Sequence, residues 1–235
     1  MTKINLSKRL MTVANYIPKD TKVLADIGSD HAYLPCYVCL KHEHVNAIAG
    51  EVNGGPFESA QQQVNQIGLK GQIDVRLGDG LDILKEGEAD TIVIAGMGGS
   101  LITSILDNGR SKLSNVKRLI LQPNIDAQSV RSFAKNYNFK IVEEEILDEE
   151  GYIYEIVVLE PDNQSTQYTP KELYLGPILL LKKPDAFYRK WENVLHKKEK
   201  IIEQMKQSTN VSSEKLEEFV QQVKWIKEEI NYGDR

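Results

Sequence analysis

Short apolar segments rich in β-branched residues alternate with helical patterns along the first part of the chain, and this alternation strongly constrains the fold. Between the segments there is room for crossover helices near residues 32–42, 54–67, 99–107 and 126–136. Repeated β-α-β units predict an α/β fold built on a parallel sheet. The candidate strands lie at residues 22–26, 45–50, 73–77, 90–96 and 117–123.

The pattern changes at residues 139–161, which predict two long strands joined by a turn at residues 148–151. A terminal β-hairpin places one strand antiparallel to the others. This layout is typical of the Rossmann-like sheet of class I S-adenosylmethionine-dependent methyltransferases, whereas nicotinamide-binding sheets continue in parallel. By this analogy of fold, residues 1–161 form the catalytic domain.

Residues 162–235 begin with a polar linker and continue as two strongly helical stretches, which predict an antiparallel helical coiled-coil hairpin. Apolar residues recur in both at alternating spacings of four and three, with Lys198 at one core position of the first. The core positions are Phe187, Trp191, Val194, Ile201 and Met205, then Leu216, Phe219, Val223, Ile226 and Ile230.

The turn after the first strand is glycine-poor and acidic. Gly28 supplies the tight turn, but Asp30 stands where a dinucleotide-binding loop has its second glycine. An anionic side chain there opposes a pyrophosphate, whereas it favours the sulfonium and ammonium groups of S-adenosylmethionine. A tight turn whose aspartate only caps the next helix is the structural alternative.

Two more carboxylates follow later strands. Glu51 comes after the second strand, where an acidic residue can accept hydrogen bonds from both ribose hydroxyls. Asp79 follows the third strand and can accept from the adenine amine, while the backbone at Gly80 admits the ring. Because the carboxyl ends of parallel strands share one edge, we expect these groups, with Asp26, to form one site.

The fourth strand ends in a glycine-rich segment, IAGMGGSLI, where a flat base could approach the backbone. Simple turn chemistry explains these glycines equally well. The segment has neither the Asn/Asp-Pro-Pro-aromatic motif typical of exocyclic-amine methylation nor the Pro-Cys pair of cytosine-carbon methylation.

Six segments together resemble the bacterial TrmK family of tRNA adenine-22 N1-methyltransferases: DIGSDHAYLP, GEVNGGPFESA, RLGDGL, IAGMGGSLI, LILQPN and EEGYIYEIVVLE. The resemblance implies methyl transfer from S-adenosylmethionine to the ring N1 of an adenine in tRNA. The expected cofactor-binding residues are Asp26, Gly28, Ser29, Glu51, Val52, Asp79, Gly80, Gly96, Met97 and Gly98.

Adenine N1 carries its own lone pair, so the reaction requires position and charge rather than a general base. Because methylation leaves the adenine cationic, Asp30 is the candidate for stabilising the transition state. His31 and Tyr33 can stack on or hydrogen-bond the base, although helix packing explains them too. By resemblance and position, Asn124 is the amide partner of the adenine edge.

Lysines recur every seven residues in the first helical stretch, at positions 183, 190 and 197. They are predicted to share one helix face, next to Arg189, and to contact tRNA phosphates. A solvated coiled-coil face is the alternative. The predicted tRNA-binding residues are Lys183, Arg189, Lys190 and Lys197.

The formal net charge of −5 argues against a surface that is basic throughout, and 12 of the 29 basic residues follow Leu181. Cys36 and Cys39 form a C-x-x-C, but no second Cys/His pair accompanies it, so helix packing is favoured over a metal. Because the chain has no long apolar segment, a cytoplasmic protein is expected. We also expect a monomer that uses no metal.

Three other functions stay open from the residues alone. The chain could methylate a small molecule or a protein and use its hairpin to dimerise. It could also bind S-adenosylmethionine without catalysis and present the hairpin to a protein partner. A nicotinamide oxidoreductase is disfavoured by Asp30.

Overall fold

The computed structural model describes residues 4–207 and 212–230, which divide into two compact units. The first comprises the described residues up to Glu145 together with Tyr154–Gln167. The second comprises Ile146–Ile153 and the described residues from Tyr168 onward. The sequence predicts a single boundary at residue 161. Instead, the outer part of the hairpin belongs to the second unit, because Ile146 lies in that unit's apolar core.

The sheet has seven strands in the order β3-β2-β1-β4-β5-β7-β6. Its first five strands are parallel, and β7 runs antiparallel to β5, as the sequence predicts. This confirms the Rossmann-like methyltransferase fold class. The strands are β1 (Val23–Ile27), β2 (Asn46–Glu51), β3 (Ile73–Leu77), β4 (Thr91–Gly98), β5 (Arg118–Ile125), β6 (Phe139–Glu149) and β7 (Tyr152–Pro161).

Four crossover helices lie close to their predicted positions, while the first helix and two short 3₁₀ turns were not predicted. The central strands β1, β2 and β4 are buried over most of their length because helices cover both faces of a parallel sheet. The helices are α1 (Lys8–Asn15), α2 (Tyr33–Lys41), α3 (Gly54–Ile67), α4 (Gly99–Asn108) and α5 (Ala127–Asn136), with 3₁₀ turns at Gly80–Ile83 and Arg110–Leu113.

The predicted hairpin turn is tighter than expected. Strand β6 extends to Glu149 and β7 begins at Tyr152, which leaves Glu150 and Gly151 as the two turn residues. Both have positive φ, 53° and 83°, the conformation that matches the twist of a two-residue hairpin.

The second unit contains α6 (Pro170–Leu175), α7 (Pro177–Lys182), α8 (Asp185–Gln207) and α9 (Ser213–Ile230). Helices α8 and α9 form the predicted hairpin, with Phe187, Trp191, Ile226 and Ile230 buried. The predicted core position at Ile201 is wrong. Ile201 is 40% exposed, and Ile202 is buried instead. Adjacent residues lie about 100° apart on a helix, so Ile201 and Ile202 fall on the two sides of the apolar stripe, and packing buries Ile202.

The prediction that Lys183, Lys190 and Lys197 share one helix face is wrong for Lys183. Lys183 caps α7 with a φ of 40°, two residues before α8 begins at Asp185. The intervening Pro184 explains the break, because the residue before a proline is disfavoured in helical conformation.

Cys36 and Cys39 pack inside the first unit from α2, as the packing interpretation predicts. Burial raises the pKa of Cys36 to about 11 and that of Cys39 to about 12, so both thiols stay protonated. None of the helices in the described part of the chain combines the length and the apolar character that a membrane span requires.

Candidate active site

The turn after β1 adopts an unusual backbone conformation. Gly28 has a φ of 70°, and Asp30, His31 and Ala32 follow with φ of 47°, 67° and 57°. Left-handed conformations at consecutive non-glycine residues are costly and need external support. Part of that support comes from β2, because the amides of Gly28 and Ser29 both donate to the Gly50 carbonyl at 3.0 Å.

The side chain of Asp26 is buried at the end of β1. The Ser29 hydroxyl donates to its Oδ2 at 2.6 Å. Burial is the main cause that raises the pKa of Asp26, to about 7, although the Ser29 hydrogen bond opposes it. A carboxylate held this way binds a cation strongly because little water screens it.

Glu51 is the second buried carboxylate and ends β2, the strand beside β1. Burial raises its pKa, and the backbone N–H groups of His31 and Asp30 oppose this rise. Its Oε1 has no hydrogen-bond partner among the described residues. Glu51 therefore supports the left-handed turn and also presents a buried acceptor that a hydroxyl donor would satisfy.

The third predicted group lies at the end of β3. Asp79 is exposed, and Gly80, with a φ of 51°, begins a 3₁₀ turn. The Gly78 amide donates to the Glu51 carbonyl at 2.9 Å, so the loop carrying Asp79 is fixed to the end of β2. Val52, just beyond Glu51, leaves 59% of its surface exposed.

Strand β4 ends beside the turn after β1. A methyl group added to Gly28 would lie 2.3 Å from Met97 Cε, so the Met97 side chain lies directly against that glycine. Gly96 has a φ of 81°, and Gly98 pairs with Ile125 of β5. The glycine-rich segment thus forms one wall of the site.

A hydrogen-bonded chain that the sequence did not predict fixes this wall. The Gly96 amide donates to Oε1 of the buried Gln122 at 3.1 Å, and Arg9 donates to the same oxygen. The Asn124 amide donates to the Gly96 carbonyl at 2.7 Å and accepts from Gln122 at 3.2 Å. In the sequence, the polar Gln122 within the apolar segment LILQPN could have indicated this chain of hydrogen bonds. Nothing in the sequence distinguished Arg9 from the other basic residues.

The predicted catalytic side chains are accessible. Asp30 has 87% of its side chain exposed and lies 3.5 Å from the His31 ring nitrogen. The rings of His31 and Tyr33 are 5.8 Å apart between centroids. Asn124 is also exposed, although its amide already contacts Gly96. These four groups face solvent at the same edge of the sheet as the buried carboxylates.

The structure therefore brings together the predicted cofactor-binding and catalytic residues at the carboxyl edge of five strands in the first unit. The predicted tRNA-binding residues belong to the second unit. There, Lys183 pairs with Glu229 at 2.6 Å, Arg189 pairs with Asp148 at 3.0 Å, and Lys190 lies over the Trp191 ring. Lys197 is exposed on α8.

The residues of the first unit fit S-adenosylmethionine. Asp26 and Asp30 match its positive charges and oppose a phosphate, and the unpaired Glu51 Oε1 matches a ribose hydroxyl. The glycine-rich wall leaves room for a flat ring. A nicotinamide dinucleotide fits poorly, because its pyrophosphate would meet Asp30.

Comparison with known proteins agrees with this geometry. The family model described as TrmK, tRNA (adenine(22)-N(1))-methyltransferase, matches residues 24–228. The tRNA (adenine(22)-N(1))-methyltransferase of Bacillus subtilis (strain 168) is 46% identical, covering 99% of this chain and 100% of that protein.

Two solved structures share the fold. The B. subtilis M1A22 tRNA methyltransferase TrmK is 44% identical with a TM-score of 0.91, covering 97% of this chain and 100% of that one. Streptococcus pneumoniae Sp1610, solved in complex with S-adenosyl-L-methionine, is 38% identical with a TM-score of 0.85 and the same coverage. Each similarity spans nearly the whole chain.

Proposed function

The chain belongs to the TrmK family of tRNA (adenine(22)-N(1))-methyltransferases, and from this premise we propose that it methylates N1 of adenine 22 in tRNA with S-adenosylmethionine. The observation that supports this most directly is the pair of buried carboxylates, Asp26 and Glu51, at adjacent strand ends. One lies in the position to meet a cation, and the other has an acceptor oxygen without a partner.

Each cofactor-binding residue then has a chemical role. Asp26, held by Ser29, attracts the positive charge, and Glu51 accepts from the ribose. Asp79 accepts from the adenine amine beside Gly80. Apolar contact comes from two side chains, Val52 and Met97, and close approach of the backbone from Gly28, Gly96 and Gly98. When bound, S-adenosylmethionine supplies a methyl group on a sulfonium, a strong electrophile.

The acceptor requires no deprotonation, because the neutral N1 of adenine already has a lone pair. The chain's task is to hold that nitrogen in line with the methyl group, which contributes up to roughly 7–11 kcal/mol in well-oriented systems. Transfer proceeds in line, without a covalent intermediate on the protein. The Asn124 amide at the Gly96 wall orients the adenine edge.

Positive charge grows on the adenine during transfer, and Asp30 is the proposed group that stabilises it. Its carboxylate is exposed at the mouth of the site, and the left-handed backbone fixes the point from which it projects. His31 and Tyr33 stack on or hydrogen-bond the base.

We further propose that tRNA phosphates contact the second unit through Lys183, Arg189, Lys190 and Lys197. Lys197 makes no ion pair within the part of the chain that the structure describes, and it is exposed. The pairs formed by Lys183 and Arg189 are partly exposed, so phosphates can compete for these cations at low cost. We also propose that the protein is a cytoplasmic monomer and that it needs no metal.

The test is a methylation assay on an unmodified tRNA transcript with S-adenosylmethionine, followed by mapping of the reverse-transcription stop. A stop at adenine 22 is expected, and a stop elsewhere or none would overturn the assigned position. Asp30→Ala should slow transfer about 10- to 100-fold at saturating S-adenosylmethionine, in addition to any loss of cofactor affinity that follows from the lost negative charge. Wild-type transfer by this variant would contradict the role of Asp30.

Two further measurements separate the alternatives. Single-turnover transfer with stoichiometric protein excludes a noncatalytic cofactor-binding module. Replacing Lys183, Lys190 and Lys197 together by alanine should weaken tRNA binding and flatten its salt dependence, because each phosphate contact adds to the slope. An unchanged slope would show that these lysines do not contact phosphate.

A further inference from the structure

Large apolar side chains are left exposed at the ends of the sheet strands and the helices that follow them, around the proposed site. Val52 and Leu77, at the ends of β2 and β3, flank the carboxylates Glu51 and Asp79. Ile125 ends β5, beside the glycine-rich wall where the methyl acceptor must lie. At 73%, it is the most exposed large apolar residue that the structure describes in the first unit.

The backbone on both sides of Ile125 is fixed by hydrogen bonds, although the Ile125 side chain is exposed. Before it, Asn124 is hydrogen-bonded to the Gly96 carbonyl at 2.7 Å. After it, Asp126 caps α5 and accepts from the Ser129 hydroxyl at 2.6 Å. A β-branched side chain has few rotamers, so an isoleucine in this place loses little entropy when it makes a contact.

The position of Ile125 relative to the acceptor wall is also defined. It is the register partner of Gly98, and a methyl group built on Gly98 would lie 3.8 Å from Ile125 Cγ1. The isoleucine therefore projects beside a wall that has no side chain at Gly98. A base against that wall would have the apolar Ile125 side chain at its border.

The chemistry of the acceptor explains why an apolar projection is useful here. N1 lies on the Watson–Crick edge of adenine, so it is blocked whenever the base is paired. An enzyme that modifies such an atom must take the base out of its stack and hold it there. Apolar side chains, isoleucine among them, are inserted between base steps for this purpose in other nucleic-acid complexes.

We propose that Ile125 is an apolar wedge that occupies the space left by adenine 22 while the base lies against the Gly96–Gly98 wall. The proposal rests on the function proposed above and adds a positioning residue to it. Ile125 touches neither the methyl group nor N1. It favours the unstacked state of the RNA, so its contribution depends on whether the adenine was paired.

The experiment compares two tRNA transcripts, one with adenine 22 able to pair and one with the opposite nucleotide replaced by an abasic site. With Ile125→Ala, kcat/KM should fall about tenfold or more on the paired transcript. On the opened transcript the loss should shrink to less than about threefold, because no stack has to be broken. Leu40→Ala, which shortens an exposed residue of α2, is the matched control and should leave both values unchanged.

A second readout does not depend on turnover. A transcript with 2-aminopurine at position 22 should brighten when wild-type protein binds, and Ile125→Ala should reduce that increase while S-adenosylmethionine affinity stays the same. Equal losses on the two transcripts, or no loss on either, would overturn the wedge. Failure of the wild-type protein to methylate adenine 22 on both transcripts would instead overturn the proposed function.

Discussion

The Ser29 hydroxyl donates a 2.6 Å hydrogen bond to Asp26, the carboxylate that burial makes hardest to ionise at this edge of the sheet. Gly28 lies between the two residues in the sequence, so this hydrogen bond ties the carboxylate to the turn. Glu51 and Asp30 add negative charge nearby, which raises the pKa of Asp26 further. A cation at this place relieves both burial and repulsion.

Cofactor affinity should therefore depend on pH through Asp26. Its pKa in the unliganded protein is about 7, so the carboxylate gains a proton as the pH falls through neutrality, and the cationic cofactor then loses its partner. Affinity for S-adenosylmethionine should fall at least about tenfold between about pH 7.5 and about pH 5.5. Titration calorimetry across this range measures the effect, and Asp26→Asn should bind weakly with a much flatter profile. A wild-type profile as flat as that of Asp26→Asn would contradict the assignment.

Glu51→Gln tests the ribose contact separately from the charge on the sulfonium. S-adenosylhomocysteine has a neutral sulfur but the same ribose, so its affinity should still fall about 10- to 100-fold when the acceptor carboxylate is lost. Glu58→Gln is the control, because Glu58 is exposed on α3 and should bind like wild type. Undiminished binding of S-adenosylhomocysteine by Glu51→Gln would refute the ribose role.

The sequence was sufficient to predict the sheet and the ends of its strands because apolar β-branched segments alternate clearly with helical ones. Asp26, Glu51 and Asp79 could then be placed at one edge, since parallel strands end on the same side. The support that Glu51 gives the turn was not predictable. It depends on left-handed backbone at Asp30 and His31, and although these residue types adopt that conformation more often than other non-glycine residues, they do so too rarely for the sequence to predict it.

The contacts of Arg9 and the exposure of Ile125 could not be predicted from the sequence either. Arg9 and Gln122 lie 113 positions apart, and only the folded sheet brings them together. The change from Ile201 to Ile202 in the helical core has a similar origin, because adjacent isoleucines offer two registers and packing selects one.

Gly28→Ala should abolish cofactor binding beyond what backbone strain explains. An added methyl group meets Met97 Cε at 2.3 Å and pushes this side chain into the cofactor site, in addition to the strain at φ 70°. Gly68→Ala is the matched control, with φ 81° and no atom within 4 Å of the added methyl group. Both variants should lose about 1 kcal/mol in the free energy of unfolding, measured with urea, with a somewhat greater loss for Gly28→Ala. Only Gly28→Ala should lose S-adenosylmethionine affinity, and equal affinities would disprove the contact.

The buried ion triad of the first unit should dominate the stability of the hairpin region. Arg131 has no exposed surface, and it donates from Nε to Glu144 at 2.6 Å and from Nη2 to Glu155. Arg131→Met leaves two buried carboxylates without their cation, so the free energy of unfolding should fall by about 3–5 kcal/mol.

The control pair for this triad is Arg118 and Glu160, which is about a quarter exposed on each side. Arg118→Ala should cost less, about 1–2 kcal/mol, because water partly screens this pair and one further hydrogen bond, to the Tyr16 carbonyl, is lost with it. Adding Glu144→Gln and Glu155→Gln to Arg131→Met removes the uncompensated charges and should restore more than half of the loss, as urea unfolding of the four proteins would show. If the triple variant were no more stable than Arg131→Met alone, the cost would come from lost packing and not from buried charge.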